Sequence, residues 1–381
     1  AANISVNFGQ QTFSHSLPTS HVALSTANLP APSIPNPSAY FGTLTWSGDS
    51  SNKNITGLEF TPDFLWIKQR NSAFSVGHQL YDVVRGAGSE NELDSSSTAA
   101  EGAGNPNVYG YPSAFVSGGF TATAGSSGDW DYVNKSGVTY VAWNWLADNT
   151  TGSSNTDGAT SSTVSVSTTS NFSIVKWTGT GATTTVGHGL GTTPQMMIIK
   201  NLADADSWVV YHEALGATKG LTLDTTAAAT TASTFFNNTA PTSSVFTVGA
   251  SGRANGSGDG QIAYCFAEVE GFSKFTSYEG NASTDGPFIY CGFRPSFVMI
   301  KNADNGTESW WIQDAAREPF NDGNMARLAP DSSAAEADNV PWFDFVSNGL
   351  KVRYNAGGIN SSGTHIVMAF AESPFKTATA R

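Results

Sequence analysis

Pro62-Asp63-Phe64-Leu65-Trp66-Ile67-Lys68 returns as Pro194-Gln195-Met196-Met197-Ile198-Ile199-Lys200, and again as Pro295-Ser296-Phe297-Val298-Met299-Ile300-Lys301. The flanking landmarks keep their order. An aromatic-x-Gly stands 16 or 17 residues upstream each time: Trp46 with Gly48, Trp177 with Gly179, Tyr278 with Gly280. Downstream, 65 to 74 residues after the lysine, an apolar run returns with a small residue before an aromatic: Ala142-Trp143, Cys265-Phe266, Ala369-Phe370. A fixed order of landmarks in a chain of 381 residues predicts three diverged copies of one unit.

Each Pro-to-Lys segment carries large apolar residues on both alternating faces, with Phe64 and Trp66 on one and Leu65 and Ile67 on the other. That pattern predicts a central strand covered on both sides. A second aromatic segment follows: His78-Gln79-Leu80-Tyr81-Asp82, Trp208-Val209-Val210-Tyr211-His212 and Trp310-Trp311-Ile312-Gln313-Asp314. Its polar residues drift while its apolar character stays, which reads as core. The leading proline, the Gly/Thr/Asn turns and the closing run Thr364 to Phe370 favour strand over helix. The expected fold is all-β: three tandem antiparallel β-sandwich repeats behind an N-terminal strand segment.

The expected boundaries are 1–38 for an N-terminal strand, Ile4 to Gln10, with a proline-rich connector, 39–148 for the first repeat and 149–171 for a Ser/Thr/Gly-rich linker. The second repeat takes 172–275 and the third 276–381, the two meeting almost without a spacer. The stretch 149–171 also admits a threonine-rich edge strand around Val164 and Val166.

Net charge is −13, and no basic cluster offsets it, so nucleic acid is not an expected partner. No apolar run reaches the roughly 18 residues of a membrane helix. Cys265 and Cys291 are too few for a disulfide framework. Cys265 falls where Ala142 and Ala369 stand, and Cys291 where Leu58 and Leu190 stand. Buried free thiols are expected, with a bond between copies two and three as the alternative.

Catalytic candidates are weak. Glu268 and Glu372 are equivalent, yet the first copy places Trp145 there. The six histidines, at 15, 21, 78, 188, 212 and 365, have no metal spacing, and no cofactor or metal is expected. Asp129, Asp131, Asp304 and Asn305 admit a calcium ion or, more simply, Asx-turns. For sugar stacking the candidates are Tyr109, Tyr111, Trp130 and Tyr132, set among Gly, Pro and Asn in the first copy, with core or subunit-contact roles as the alternative.

Val6-Asn7-Phe8-Gly9-Gln10-Gln11-Thr12-Phe13, with Leu24 to Pro30 after it, resembles the last strands of a concanavalin-like or SPRY-type sandwich in phage proteins. Residues 40–376, with their Pro-to-Ile-Lys strands and the ending Ala369-Phe370-Ala371-Glu372-Ser373-Pro374-Phe375, resemble a repeat of virion and tail-associated proteins of marine phages. The resemblance implies a non-enzymatic virion protein, whether tail fibre, tail appendage or head decoration. Its implied partners are other virion proteins. The abundant Trp and Phe, beyond what three small cores need, point to self-association into a homo-oligomer, with host-surface adhesion as a further role. A stand-alone carbohydrate-binding module is the alternative, and a polysaccharide-degrading enzyme the third reading.

Overall fold

The computed structural model describes residues 31–71, 75–231, 233–338 and 340–374, with short pieces at 14–16, 18–19 and 28–29. The expected strand from Ile4 to Gln10 lies outside the described residues. The chain is all-β, built from antiparallel sheets with only single-turn helices between them.

One strand order occurs three times. An opening strand pairs with a closing strand, the closing strand with a central strand, and the central strand with an outer strand. The opening strands are Phe41–Ser47, Phe172–Thr178 and Ser273–Gly280. The closing strands are Thr139–Trp145, Gly260–Phe266 and Gly363–Pro374. The central strands, Phe64–Gln69, Met196–Asn201 and Phe293–Asn302, carry the Pro-to-Lys segments, and the outer strands are Gln79–Asp82, Val209–His212 and Trp311–Asp314.

The alternation along the central strands divides two kinds of core. Leu65 and Ile67, Met197 and Ile199, and Val298 and Ile300 each face a private core roofed by a small second sheet. Phe64 and Trp66, Met196 and Ile198, and Phe297 and Met299 instead enter one core common to all three large sheets. At its centre the closing strands contribute Trp145, Phe266 and Phe370. Their rings lie 6.2, 6.1 and 5.6 Å apart pairwise, within the range of favourable aromatic contacts. The Trp and Phe that suggested sticky outer surfaces are mostly divided between this shared core and the private cores, so their abundance alone no longer argues for self-association.

The register corrects one alignment. Central-strand pairing sets Lys68, Lys200 and Lys301 against Val141, Ile262 and Ile366, which makes Trp145, Phe266 and Phe370 equivalent. Cys265 therefore matches Asn144 and Ala369, not Ala142, and Glu268 and Glu372 match Ala147, not Trp145. A slip of two residues keeps every side chain on its own face, so the hydrophobic pattern cannot detect it.

The stretch 149–171 is no free linker. Ser153–Asn155 and Ser162–Ser167 extend the second large sheet beyond its opening strand. Val164 enters that unit's private core, and its strand lies between Ser153–Asn155 and the opening strand, so the edge of the sheet is Ser153–Asn155 and not the strand of Val164 and Val166. The expected boundary at 275/276 falls inside the strand Ser273–Gly280, whose Phe275 belongs to the shared core. In the proline-rich stretch, Ile34 is buried in the shared core, so this part of the connector is docked.

The aromatic-x-Gly landmark marks a close crossing. A Cβ on Gly48, Gly179 or Gly280 would lie 2.1, 2.1 or 1.8 Å from the backbone oxygen of Lys135, Gly256 or Ser361. Only a residue without a side chain lets the two backbones approach this closely. Gly179→Ala is expected to cost roughly 1–3 kcal/mol, because backbone must move. Urea unfolding of the variant should show a lower midpoint with an unchanged slope, and an unchanged midpoint would refute the crossing argument.

Candidate functional site

The groups with perturbed chemistry concentrate where the sheets meet. Lys68, Lys200 and Lys301 follow the inward-facing residues of the central strands, so their side chains run along the shared core to its rim. There each ammonium donates to a carbonyl of a neighbouring unit. Lys68 reaches Ser333 at 3.0 Å, Lys200 reaches Thr98 at 3.1 Å and Lys301 reaches Thr226 at 2.9 Å. Burial pushes each of the three down to about 8.

The same rotation repeats in the first positions of the second aromatic segments. The Trp208 indole donates to Asp94 O at 3.0 Å, the Trp310 indole to Thr222 O at 2.8 Å, and His78 Nε2 contacts Ala329 O at 2.9 Å. Backbone bonds complete the cycle: Glu101 N to Leu202 O, Ala229 N to Ala303 O and Glu336 N to Arg70 O. Each unit's loop after its outer strand is thus held by the next unit, and the third unit's loop by the first. Reading the second aromatic segment as core missed this bridging role, because its partner carbonyls belong to distant loops.

Two buried ion clusters sit on the same seams. Arg85 binds Asp82 at 2.5 Å and Glu101 at 3.0 Å, and Tyr264 of the second unit donates to Asp82 at 2.8 Å. Arg317 binds Asp314 and Glu336, both at 2.6 Å, while the Trp143 indole of the first unit donates to Asp314 at 2.9 Å. In the second unit the corresponding residues are His212, Leu215 and Ala229. There His212 contacts Val367 O of the third unit at 3.4 Å, and burial lowers the imidazole to about 4. The chain itself thus contains a largely apolar substitute for the ion cluster.

The expected sugar-stacking residues are only partly brought together. Tyr109 and Tyr132 lie 5.3 Å apart, and Tyr109 is exposed. Trp130 is buried in the first unit's private core and Tyr111 packs against it, while the Tyr132 hydroxyl donates to Gly104 O. Of the four, Tyr109 is exposed, Tyr111 and Tyr132 are half-buried and Trp130 is buried. Beneath this loop lies a residue that the sequence did not single out, Glu92, whose carboxyl accepts from Gly104 N at 3.2 Å. Burial pushes it up to about 7, and neighbouring Asp94 adds to the rise.

The other candidates have local partners. Lys274 binds Glu268 and Arg294 binds Glu372, both at 2.8 Å. Asp129 and Asp131 both hold Lys135, Asp304 accepts from Thr364 N at 2.8 Å, and Asn305 forms an Asx-turn with Thr307. His78, His188, His212 and His365 are buried, with imidazoles lowered chiefly by desolvation. His15 is exposed, and His21 lies outside the described residues. Both cysteines are free and buried, and burial raises both thiols, Cys291 to about 12. Among the described residues no His/Cys/Asp/Glu group is arranged to hold a metal, and no helix is long and apolar enough to cross a membrane.

These features define a chain of three large sheets closed on one core. Residues 36–374 match a domain of unknown function, DUF7483, and the chain belongs to that family. That single family domain runs across all three large sheets. No curated protein matches the chain.

Two measurements probe the seams. Arg85→Leu alone is expected to cost about 3–5 kcal/mol, because it leaves Asp82 buried without its cation. The triple change Asp82→His, Arg85→Leu, Glu101→Ala, which copies the second unit, should cost far less in urea unfolding. Glu92→Gln should remove a pH dependence. With its native value raised from 4.5 to about 7, folded Glu92 holds more protons than the unfolded chain between those values, so its contribution to stability declines as pH rises through them. The variant should therefore lose less stability than the parent between pH 5 and 8, and parallel curves would refute this.

Proposed function

We propose that this chain is a non-enzymatic structural protein of a phage particle, a tail fibre, tail appendage or head decoration, which self-associates and contacts other virion proteins. Assignment to a phage rests on the resemblance of the Pro-to-Ile-Lys strands and the closing Ala369 to Phe375 segment. We also read the three equivalent sheets as diverged copies of one module.

The observation that carries a role in assembly is where the exposed aromatics stand. Phe288 and Tyr290, 48% and 60% exposed, occupy the edge strand Phe288–Tyr290 of the third unit's small sheet, and Phe320 of the same unit is 60% exposed. An edge strand with bare aromatic side chains is a surface that a partner chain can cover. The perturbed buried groups meanwhile serve packing, as the seam lysines and arginines illustrate.

Adhesion to host-surface glycans is the second role, favoured by the exposed Tyr109, whose ring lies tilted against that of Tyr132. Glycan-array binding that disappears with Tyr109→Ala would support it.

Light scattering at micromolar concentration should find an oligomer for the parent chain and a shift toward monomer for Phe288→Ser with Tyr290→Ser. Mass spectrometry of purified particles should detect the chain. A monomeric parent that is also missing from particles would overturn the proposal.

A further inference from the structure

Between its opening and central strands each unit sets a short strand of its small sheet: Lys53–Thr56, Thr184–Gly187 and Phe288–Tyr290. Ile55, Val186 and Ile289 turn inward from these strands and are buried in the private cores. The residues on either side point to the opposite face, and there the units differ. Asn54 and Thr56 take those positions in the first unit, Thr185 and Gly187 in the second, and Phe288 and Tyr290 in the third.

The backbone of the third strand is open on one side. Val352 N donates to Pro287 O at 3.0 Å and Cys291 N to Asn348 O at 2.9 Å, so Pro287, Ile289 and Cys291 direct their backbone groups at the neighbouring chain. In an antiparallel ladder this direction alternates, which turns the N–H and C=O of Phe288 and Tyr290 outward. Among the described residues no hydrogen bond is made to these four groups. In the second unit the matching carbonyls are taken: Thr185 O accepts from Thr160 N at 3.0 Å and Gly187 O from Ser162 Oγ at 2.8 Å. The far edge of the third unit's small sheet, Phe343–Val346, is closed by Asn321, whose side chain donates to Phe345 O at 3.1 Å and accepts from Phe345 N at 2.9 Å. In the first unit Lys53, Asn54 and Thr56 give the edge the charge and polarity that deter pairing. The Phe288–Tyr290 edge has no covering segment among the described residues, and no charged residue stands between Gly286 and Phe293.

This edge is complementary to itself. With two copies antiparallel about a two-fold axis at Ile289, Phe288 of each copy stands opposite Tyr290 of the other. The outward groups then meet as two hydrogen-bonded pairs with four bonds, and each pair sets two aromatic side chains across from one another. Charge favours the same occupant. Copies that each carry a net −13 repel, and an uncharged stretch is where they can approach. We propose that the Phe288–Tyr290 edges of two copies pair antiparallel in this register, joining their small sheets into one of six strands, three from each copy. The pairing occupies the open edge of both copies and so closes at a dimer. It gives the self-association proposed above its geometry and rests on that reading.

Hydrogen exchange resolved to single amides tests it, on the full chain at concentrations below and above the onset of association seen by light scattering. The Phe288 and Tyr290 amides are expected to exchange at least tenfold more slowly in the associated state, while the outward amides of Asn54 and Thr56 keep their rates. Tyr290→Pro removes an outward donor without taking a bond from its own sheet. Its dimer should therefore dissociate at least tenfold more readily than that of Tyr290→Ala, which also lacks the ring but keeps the N–H. Should the proline variant not fold, the exchange rates of the parent decide alone. Association that leaves the Phe288 and Tyr290 amides unprotected, or equal dissociation constants for the two folded variants, would overturn edge pairing and leave self-association standing. A chain that is monomeric at every concentration would overturn both and leave the edge to a strand of another protein.

Discussion

The structure depends on three sheets sharing one apolar interior. Each large sheet has two apolar faces, and its small second sheet covers only one of them. The uncovered faces carry Phe64, Trp66, Trp143 and Trp145 in the first unit, and Tyr264, Phe266, Phe297 and Phe370 in the others. Burying side chains of this size contributes on the order of 1.5–3 kcal/mol each. No unit can secure that contribution alone, so the sheets must meet.

Closing the sheets creates a polar problem at the rim. Loops that cross from one unit to the next bring backbone carbonyls into surroundings largely closed to water, where an unpaired acceptor is costly. The seam lysines answer that need with side chains long enough to reach the neighbouring loop. Their lowered proton affinity is the cost of holding an ammonium there, partly offset by several carbonyl partners. Lys200, for example, donates also to the carbonyls of Asn201, Asp204 and Asp206. The ion clusters around Arg85 and Arg317 join the seams in the same way, and the His212 version shows that the seam does not require charge.

Much of this was legible in residue order. The alternation Phe64, Leu65, Trp66, Ile67 told that the central strand is covered on both sides, and it is. It could not tell that one cover is a private sheet and the other a pair of distant sheets, because periodicity identifies faces and not their partners. The register of the closing strands was hidden for a related reason, since a shift by two leaves inward residues inward. Trp130 looked like a loop aromatic because Gly and Asp surround it, yet the chain turns it into the private core. Glu92 gave no signal, because its environment is made by Gly104 and Tyr132, which come from elsewhere in the chain.

The cyclic docking of the loops has a consequence for how the molecule comes apart. In a linear stack of repeats the end units touch one neighbour and fray first. Here the third unit's loop rests on the first unit, so every unit has two neighbours and none is terminal. Opening any one sheet breaks two seams and exposes the central aromatic rings together. The three units therefore form one cooperative block, without a weak end where melting could start.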